Sequence, residues 1–142
     1  MALIESSVTI SAPADIVWKI VSDVDSEPKY WKGTKSVKNI SRDGNTIHRE
    51  VVIAFRDKRC KQRVEIIPNE CIKITFTEGI IIGTKTIMIR TVDSQLVLET
   101  VWDIKISGML GMFTGMLTKH IRGGTEQALN AIKKDAEDAC SQ

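Results

Sequence analysis

Three charged side chains stand at positions where chemistry would be unusual: Arg49, Glu78 and Lys85. Each falls in a stretch of alternating apolar and polar residues, and each sits on the parity of the apolar set. A charge facing an apolar interior must be paired or wet. Such a group can orient the polar head of a ligand or polarise a carbonyl. The plainer alternative is that Glu78 and Lys85, at one end of the same hairpin near Trp102, sit at an open rim and snorkel to water. Arg49 is more central and lines the interior unless a bulge flips its parity. The two histidines are weaker candidates. His48 points outward, opposite Glu65, as half of a surface pair. His120 follows the Met109, Met112, Met116 flank of a helix, where it either meets a ligand or is solvated beside Lys119 and Arg122.

Motifs for enzymes with an activated nucleophile or a metal are missing: there is no G-x-S-x-G, no H-E-x-x-H and no glycine-rich phosphate loop. Cys60, Cys71 and Cys140 form no C-x-x-C pair, and an odd count argues against a disulfide framework or structural zinc. Cys60 and Cys71 fall at opposite ends of one hairpin, too far apart to bridge. No catalytic residue, metal or cofactor is assigned.

The most unusual stretch is "SGMLGMFTGMLTKH", residues 107–120, with three methionines, three other apolar side chains and three glycines. It is far too short to span a bilayer, and Lys119, His120 and Arg122 follow it at once. No transmembrane segment is expected, although transient docking at a membrane surface stays open. As plain core the segment is odd, because too many sides of the helix are apolar. Methionine adapts to irregular shapes, which suits a wall that meets variable ligands. Glycine weakens a helix by about 1 kcal/mol per residue relative to alanine, which suits a gate.

The whole chain of 142 residues, 42% hydrophobic and 27% charged, fits one domain spanning residues 1–142. A net charge of +2 is too mild for a nucleic-acid partner, and none is expected. Met1 to Ile10 has no basic start followed by an apolar run, so the expected location is cytoplasmic. The basic run "RDKRCKQR" (56–63) puts Arg59, Lys61 and Arg63 on one outward face. With Glu50 opposite Arg63 and Glu65 continuing the row, a solvated face is the better reading than a phosphate-binding one.

The elements that would position these residues follow from periodicity. Residues 3–11 read as a strand. In "SAPADIVWKIVSDV", Pro13 and Asp15 suit a helix start, and Val17, Ile20, Val21 and Val24 share a face. "SEPKYW" is a second helical turn, ended by Gly33. Trp18, Tyr30 and Trp31 on this helical pair read as a plug at one end of the sheet. Residues 35–106 then alternate with period two, divided by turns at 42–45, 56–58, 67–70, 79–83 and 92–95 into six antiparallel strands. A helical stripe runs from Met109 to about Glu137. A two-residue turn at Asp93–Ser94 sets Leu96, Leu98, Thr100 and Trp102 beside Thr91, Ile89, Ile87 and Lys85. Ile72, Ile74, Phe76 and Glu78 continue that face, followed by Ile66, Val64, Gln62 and Cys60, and by Ile47, Arg49, Val51, Ile53 and Phe55. These are medium side chains, and opposite them the helix offers Gly111, Gly115, Gly123, Gly124 and Ala128. Either the interior is incompletely filled, or the small residues permit close helix–sheet contact.

The fold class is therefore α+β: a seven-stranded antiparallel sheet wrapped around a long C-terminal helix, with two short helices after the first strand. The element order, the opening "VTISAPADIVWKIVSDVDSEPKYWKGTKSV" and the closing "GTEQALNAIKKDAE" resemble the START-related (SRPBCC, helix-grip) superfamily, nearest its polyketide cyclase/dehydrase-like and coenzyme-Q-binding-protein-like branch. The resemblance covers essentially the whole chain. It implies a deep apolar cavity between sheet and helix, taking lipids, polyketides, sterols, quinones or hormones. The expected function is binding of a hydrophobic small molecule or lipid, as carrier or sensor. Two alternatives stand beside it: a polyketide-type cyclase/dehydrase, and an interaction module using the basic sheet face. The expected ligand-binding residues are Arg49, Phe76, Glu78, Lys85, Ile87, Thr100, Trp102, Met109, Met112, Met116 and His120.

Overall fold

In the structure, a computed structural model that describes residues 2–107 and 114–141, β1 (Ala2–Ile10) is followed by α1 (Ala14–Val21), a 3-10 turn (Val24–Ser26) and α2 (Glu27–Tyr30). Six strands come next: β2 (Thr34–Asp43), β3 (Thr46–Ile53), β4 (Arg59–Ile67), β5 (Cys71–Glu78), β6 (Ile81–Val92) and β7 (Gln95–Ile106). The 27-residue α3 (Thr114–Cys140) closes the chain and is about 40 Å long. The strands form one antiparallel sheet in the order β1-β7-β6-β5-β4-β3-β2. β1 and β2 are thus opposite edges, and the connection holding α1 and α2 runs from one edge of the sheet to the other.

Alternation places the core. Ile47, Val51 and Ile53 of β3, Val64 of β4, Ile72, Ile74 and Phe76 of β5, Ile87 of β6, and Leu98 and Ile104 of β7 are all buried on one face. The facing stripe of α3 is Leu117, Thr125, Ala128, Leu129, Ile132 and Ala136. The expected β6–β7 pairing is present residue for residue, with Lys85 opposite Trp102 and Ile87 opposite Thr100. Its turn places Asp93 and Ser94 at φ 52° and 65°, the two left-handed residues that match hairpin twist. Gly83 of β6, at φ 131°, lies so close to β7 that a Cβ there would come within 2.2 Å of the Asp103 carbonyl oxygen. Only glycine fits this crossing.

Two expectations change. The β3–β4 pairing is displaced by two residues, so His48 faces Arg63 rather than Glu65, and Glu50 faces Lys61. The cause is a connection longer than its turn signal, held by a 3-10 turn at Phe55–Asp57. A shift of two keeps every side chain on its face, so His48 remains exposed and Arg49 remains inside. Glu78 does change face. Between Lys61–Gln62 of β4 and Phe76–Glu78 of β5 the ladder bulges, with Thr77 as the extra residue. Glu78 therefore turns outward, 71% exposed, with its carboxylate 3.6 Å from the Lys61 ammonium.

α3 leans on β1, α1, α2 and β7. Tyr30 ties α2 to it by donating a hydrogen bond to Asp135 at 2.7 Å. Toward the C-terminal half of α3, Ile132 closes on Ile72, Ile74 and Ile87, leaving a void of only about 20 Å³. Toward the N-terminal half of α3 the space between sheet and helix opens.

Candidate functional site

That open space is a cavity of about 800 Å³ between the sheet and α3. It lies within the range of small-molecule sites. Its sheet wall includes Ile53, Gln62, Phe76, Ile81, Lys85 and Trp102. Glu27, Trp31 and Thr34 close one end, and the α3 wall runs from Met116 to Gln127. An added Cβ at Gly115, Gly123 or Gly124 would meet nothing within 4 Å. These glycines therefore do not serve close helix–sheet contact, whereas Ala128, fully buried, does belong to the packed stripe. The glycines leave room.

The polar floor is a buried charge cluster. Arg49 is fully buried and uses all three of its nitrogens: Nη2 donates to Glu27 Oε1 at 2.7 Å, Nε to Gln62 Oε1 at 2.8 Å and Nη1 to the Val24 carbonyl at 3.1 Å. The Thr34 hydroxyl donates to Glu27 Oε2 at 2.8 Å. Lys85, with 1% of its surface exposed, places Nζ 3.8 Å from Glu27 Oε2, beyond hydrogen-bond range. The ammonium lies 3.3 Å above the centroid of the Trp31 ring and 4.9 Å from that of Trp102. These aromatic faces partly replace its lost hydration.

The rings are themselves held. Trp102 meets Trp31 edge-on at 6.4 Å and stacks on Phe76 at 6.0 Å. Its Nε1 donates to Thr125 Oγ1 at 3.0 Å, and that hydroxyl donates to the Ile121 carbonyl at 2.7 Å. α3 thus fixes the orientation of the cavity's tryptophan.

Burial would raise the Glu27 carboxyl, but the Lys85 and Arg49 charges and the hydrogen bonds from Arg49 and Thr34 outweigh it and hold the group below its ordinary value. For Lys85 burial dominates. It draws the ammonium down from 10.5 to about 8, against the pull of Glu27, and Arg49 adds to the lowering.

Of the expected site residues, Phe76, Lys85, Trp102, Met116 and His120 line the cavity, the last two from the exposed side of α3. Arg49 lies behind Glu27 and Gln62, one layer from the open space. Ile87 lines the small void beneath Ile132 instead. Thr100, its neighbour on β7, is fully buried away from the cavity, and its hydroxyl has no hydrogen-bond partner among the described residues. Both face inward as expected, but at the level where Ile132 has closed the gap. Glu78 is on the outer face. Met109 and Met112 lie outside the described residues. The outward cations of the basic run are paired, Arg59 with Glu50 at 2.9 Å, Lys61 with Glu78 at 3.6 Å and Arg63 with Glu65 at 3.2 Å.

Glu27 is not among the residues expected at the site, and Trp31 is expected there only as a plug. A signal for Glu27 was present: two inward cations require a buried anion, and no inward position in the strands supplies one once Glu78 is excluded.

Solved structures with this architecture include the Zhui aromatase/cyclase from a Streptomyces species, 22% identical, with 96% of this chain and 93% of that one covered at a TM-score of 0.77. The di-domain aromatase/cyclase StfQ of the steffimycin biosynthetic pathway is 13% identical, and the match covers 99% of this chain and 52% of that one at a TM-score of 0.77. A START superfamily protein from Mycobacterium smegmatis is 16% identical, with 92% and 98% covered at a TM-score of 0.64. At these identities the likeness is one of fold. No curated protein matches the chain by sequence. Residues 1–137 match the family described as polyketide cyclase / dehydrase and lipid transport, and the chain belongs to that family.

Proposed function

We propose that this protein binds a hydrophobic small molecule or lipid in the cavity between the sheet and α3, without covalent chemistry, as a carrier or sensor. The observation that carries this reading is the cavity itself. About 800 Å³ is left open beside glycines at 123 and 124 and walled by Ile53, Phe76, Ile81, Trp102 and Leu117. Neutralisation of the outer basic row by Glu50, Glu65 and Glu78 favours it over a macromolecular interaction module. Mass spectrometry of the purified protein, first native and then denatured, tests it. A small molecule released only on denaturation is expected. A protein that arrives empty, and whose Trp31 and Trp102 fluorescence is unchanged by a panel of lipids, sterols and polycyclic aromatics, would remove the reading.

Lys85 is the observation that favours a second reading, a cyclase/dehydrase. An ammonium near its pKa inside a water-poor cavity can polarise a carbonyl and exchange a proton with an enol. This reading requires consumption of a 1,3-diketone substrate that Lys85→Met abolishes. Binding without turnover returns the protein to the carrier class.

A further inference from the structure

The buried cluster does not balance. Among the described residues the buried ionised groups are Glu27, Arg49 and Lys85: two cations against one anion. Glu27 already accepts at both oxygens, Oε1 from Arg49 and Oε2 from Thr34, and its single charge balances only one of the two cations. Arg49 has no nitrogen left over. The surplus positive charge therefore belongs to Lys85. Its Nζ has no acceptor within hydrogen-bond distance among the described residues, only the Glu27 oxygen at 3.8 Å and the faces of two tryptophans. An aromatic face attracts a cation but accepts none of its three N–H bonds in the way an oxygen does. Lys85 is one of the residues that line the cavity, with 2% of its side-chain surface exposed, and a bound ligand there can supply the missing acceptor.

We propose that the cavity selects amphiphiles with an anionic oxygen head, a carboxylate or an acidic enolate, and that the head seats on Lys85 Nζ against Trp31 and Trp102. This rests on the cavity-binding reading and narrows it to a ligand class. A charge-assisted hydrogen bond to Nζ would complete the charge balance of the floor and satisfy a donor that burial has stripped of water. The apolar body then lies along Ile53, Ile81, Leu117 and Ile121 toward the mouth. A cationic head would meet Lys85 and Arg49 and be repelled. A neutral alcohol could accept one hydrogen bond but would leave the surplus charge unbalanced.

The test uses three probes with one chain and different heads: dodecanoate, 1-dodecanol and dodecyltrimethylammonium. Each is titrated below its aggregation concentration at pH 7 in 0.5 M NaCl, where surface charges are screened and buried ones much less so. Affinity is read by calorimetry and tryptophan fluorescence. Dodecanoate is expected to bind at least tenfold more tightly than dodecanol, with the quaternary amine weakest. In Lys85→Met the preference for the acid over the alcohol should fall to within about twofold, while dodecanol affinity stays within about threefold of wild type. Equal binding of acid and alcohol by the wild type overturns the proposal and leaves the cavity reading intact, and this arm needs no variant. An acid preference that survives in Lys85→Met also overturns it, by placing the head elsewhere. If none of the three probes binds, the cavity reading falls and takes the proposal with it.

Discussion

Lys85 should cost the protein stability, and replacing it with methionine should return that stability. Its ammonium titrates at about 8 in the folded chain against 10.5 for an ordinary lysine. The difference corresponds to about 3 kcal/mol against keeping the charge buried. The folded pKa is lowered, so the penalty is complete below about pH 8, where both states hold the proton. It is relieved as pH rises from about 8 to 10.5, where the unfolded chain keeps a proton that the folded chain gives up. Methionine has nearly the same reach, fills the same slot against Trp31 and Trp102, and leaves the Glu27–Arg49 pair neutral and fully hydrogen-bonded. Removing the ammonium also removes its attraction to the two tryptophan faces, which offsets up to about 2 kcal/mol of the gain. Lys85→Met should therefore be more stable at pH 7 by about 1–3 kcal/mol, raising Tm by about 4–12 °C in a chain of this size. The assay is urea unfolding of both proteins at pH 7, 8, 9 and 10. Cys60, Cys71 and Tyr30 also titrate in alkali, but they are common to both proteins and cancel in the difference. The gap should shrink steadily above pH 8. A variant that is less stable at pH 7 by more than about 1 kcal/mol, or a gap that stays flat to pH 10, would refute the reasoning.

Glu27→Gln leaves Arg49 and Lys85 without a counter-ion and should destabilise by about 3–5 kcal/mol in urea, whereas adding Lys85→Met should restore more than half of that loss. Gly83→Ala must push its Cβ into the Asp103 carbonyl at a φ that alanine avoids, and should cost more than about 3 kcal/mol or prevent soluble expression. Gly124→Ala, helical and facing open space, should instead stabilise by about 0.5–1 kcal/mol, as thermal melts of the two variants will show. With a disulfide-exchange reagent at pH 8, the exposed Cys140 should react first and the half-buried Cys71 more slowly; the buried Cys60, its thiol pushed up by burial, should react only on unfolding. A fast phase of three thiols would contradict that burial order.

What was legible in the sequence is what hairpins make local. One two-residue turn at Asp93–Ser94 fixes the pairing of β6 with β7, and alternation then determines which of their side chains enter the interior. The same logic survived a wrong register between β3 and β4, because an error of two residues preserves the face. It failed at Glu78, where a single extra residue, Thr77, reverses the face inside a run that alternates regularly up to Phe76. It also could not reach Glu27, whose partners Arg49 and Lys85 are 22 and 58 positions away along the chain. Alternation within a strand says nothing about what the end of a short helix delivers to it.

The two halves of the interior suggest why the charge cluster sits where it does. Where Ile132 closes on Ile72, Ile74 and Ile87, the gap shrinks to about 20 Å³, and Glu27, which reaches it, is already paired with Arg49. Where the helix carries Gly123 and Gly124, the gap is open, and Lys85 is part of its wall. Stability alone would favour extending the aliphatic seal into the open half, since isoleucine at 85 and alanine at 124 are both compatible with the backbone. The chain instead places a desolvated cation there and surrounds it with two tryptophans, one held by Thr125 of α3 and the other carried past α2. A cation kept dry, oriented and incompletely paired interacts more strongly with an incoming anion than one already hydrated, because less solvent must be removed on binding. The same arrangement links ligand to helix: a head seated on Lys85 touches Trp102, Trp102 is hydrogen-bonded to Thr125, and any ligand that shifts the ring must move α3 or break that bond.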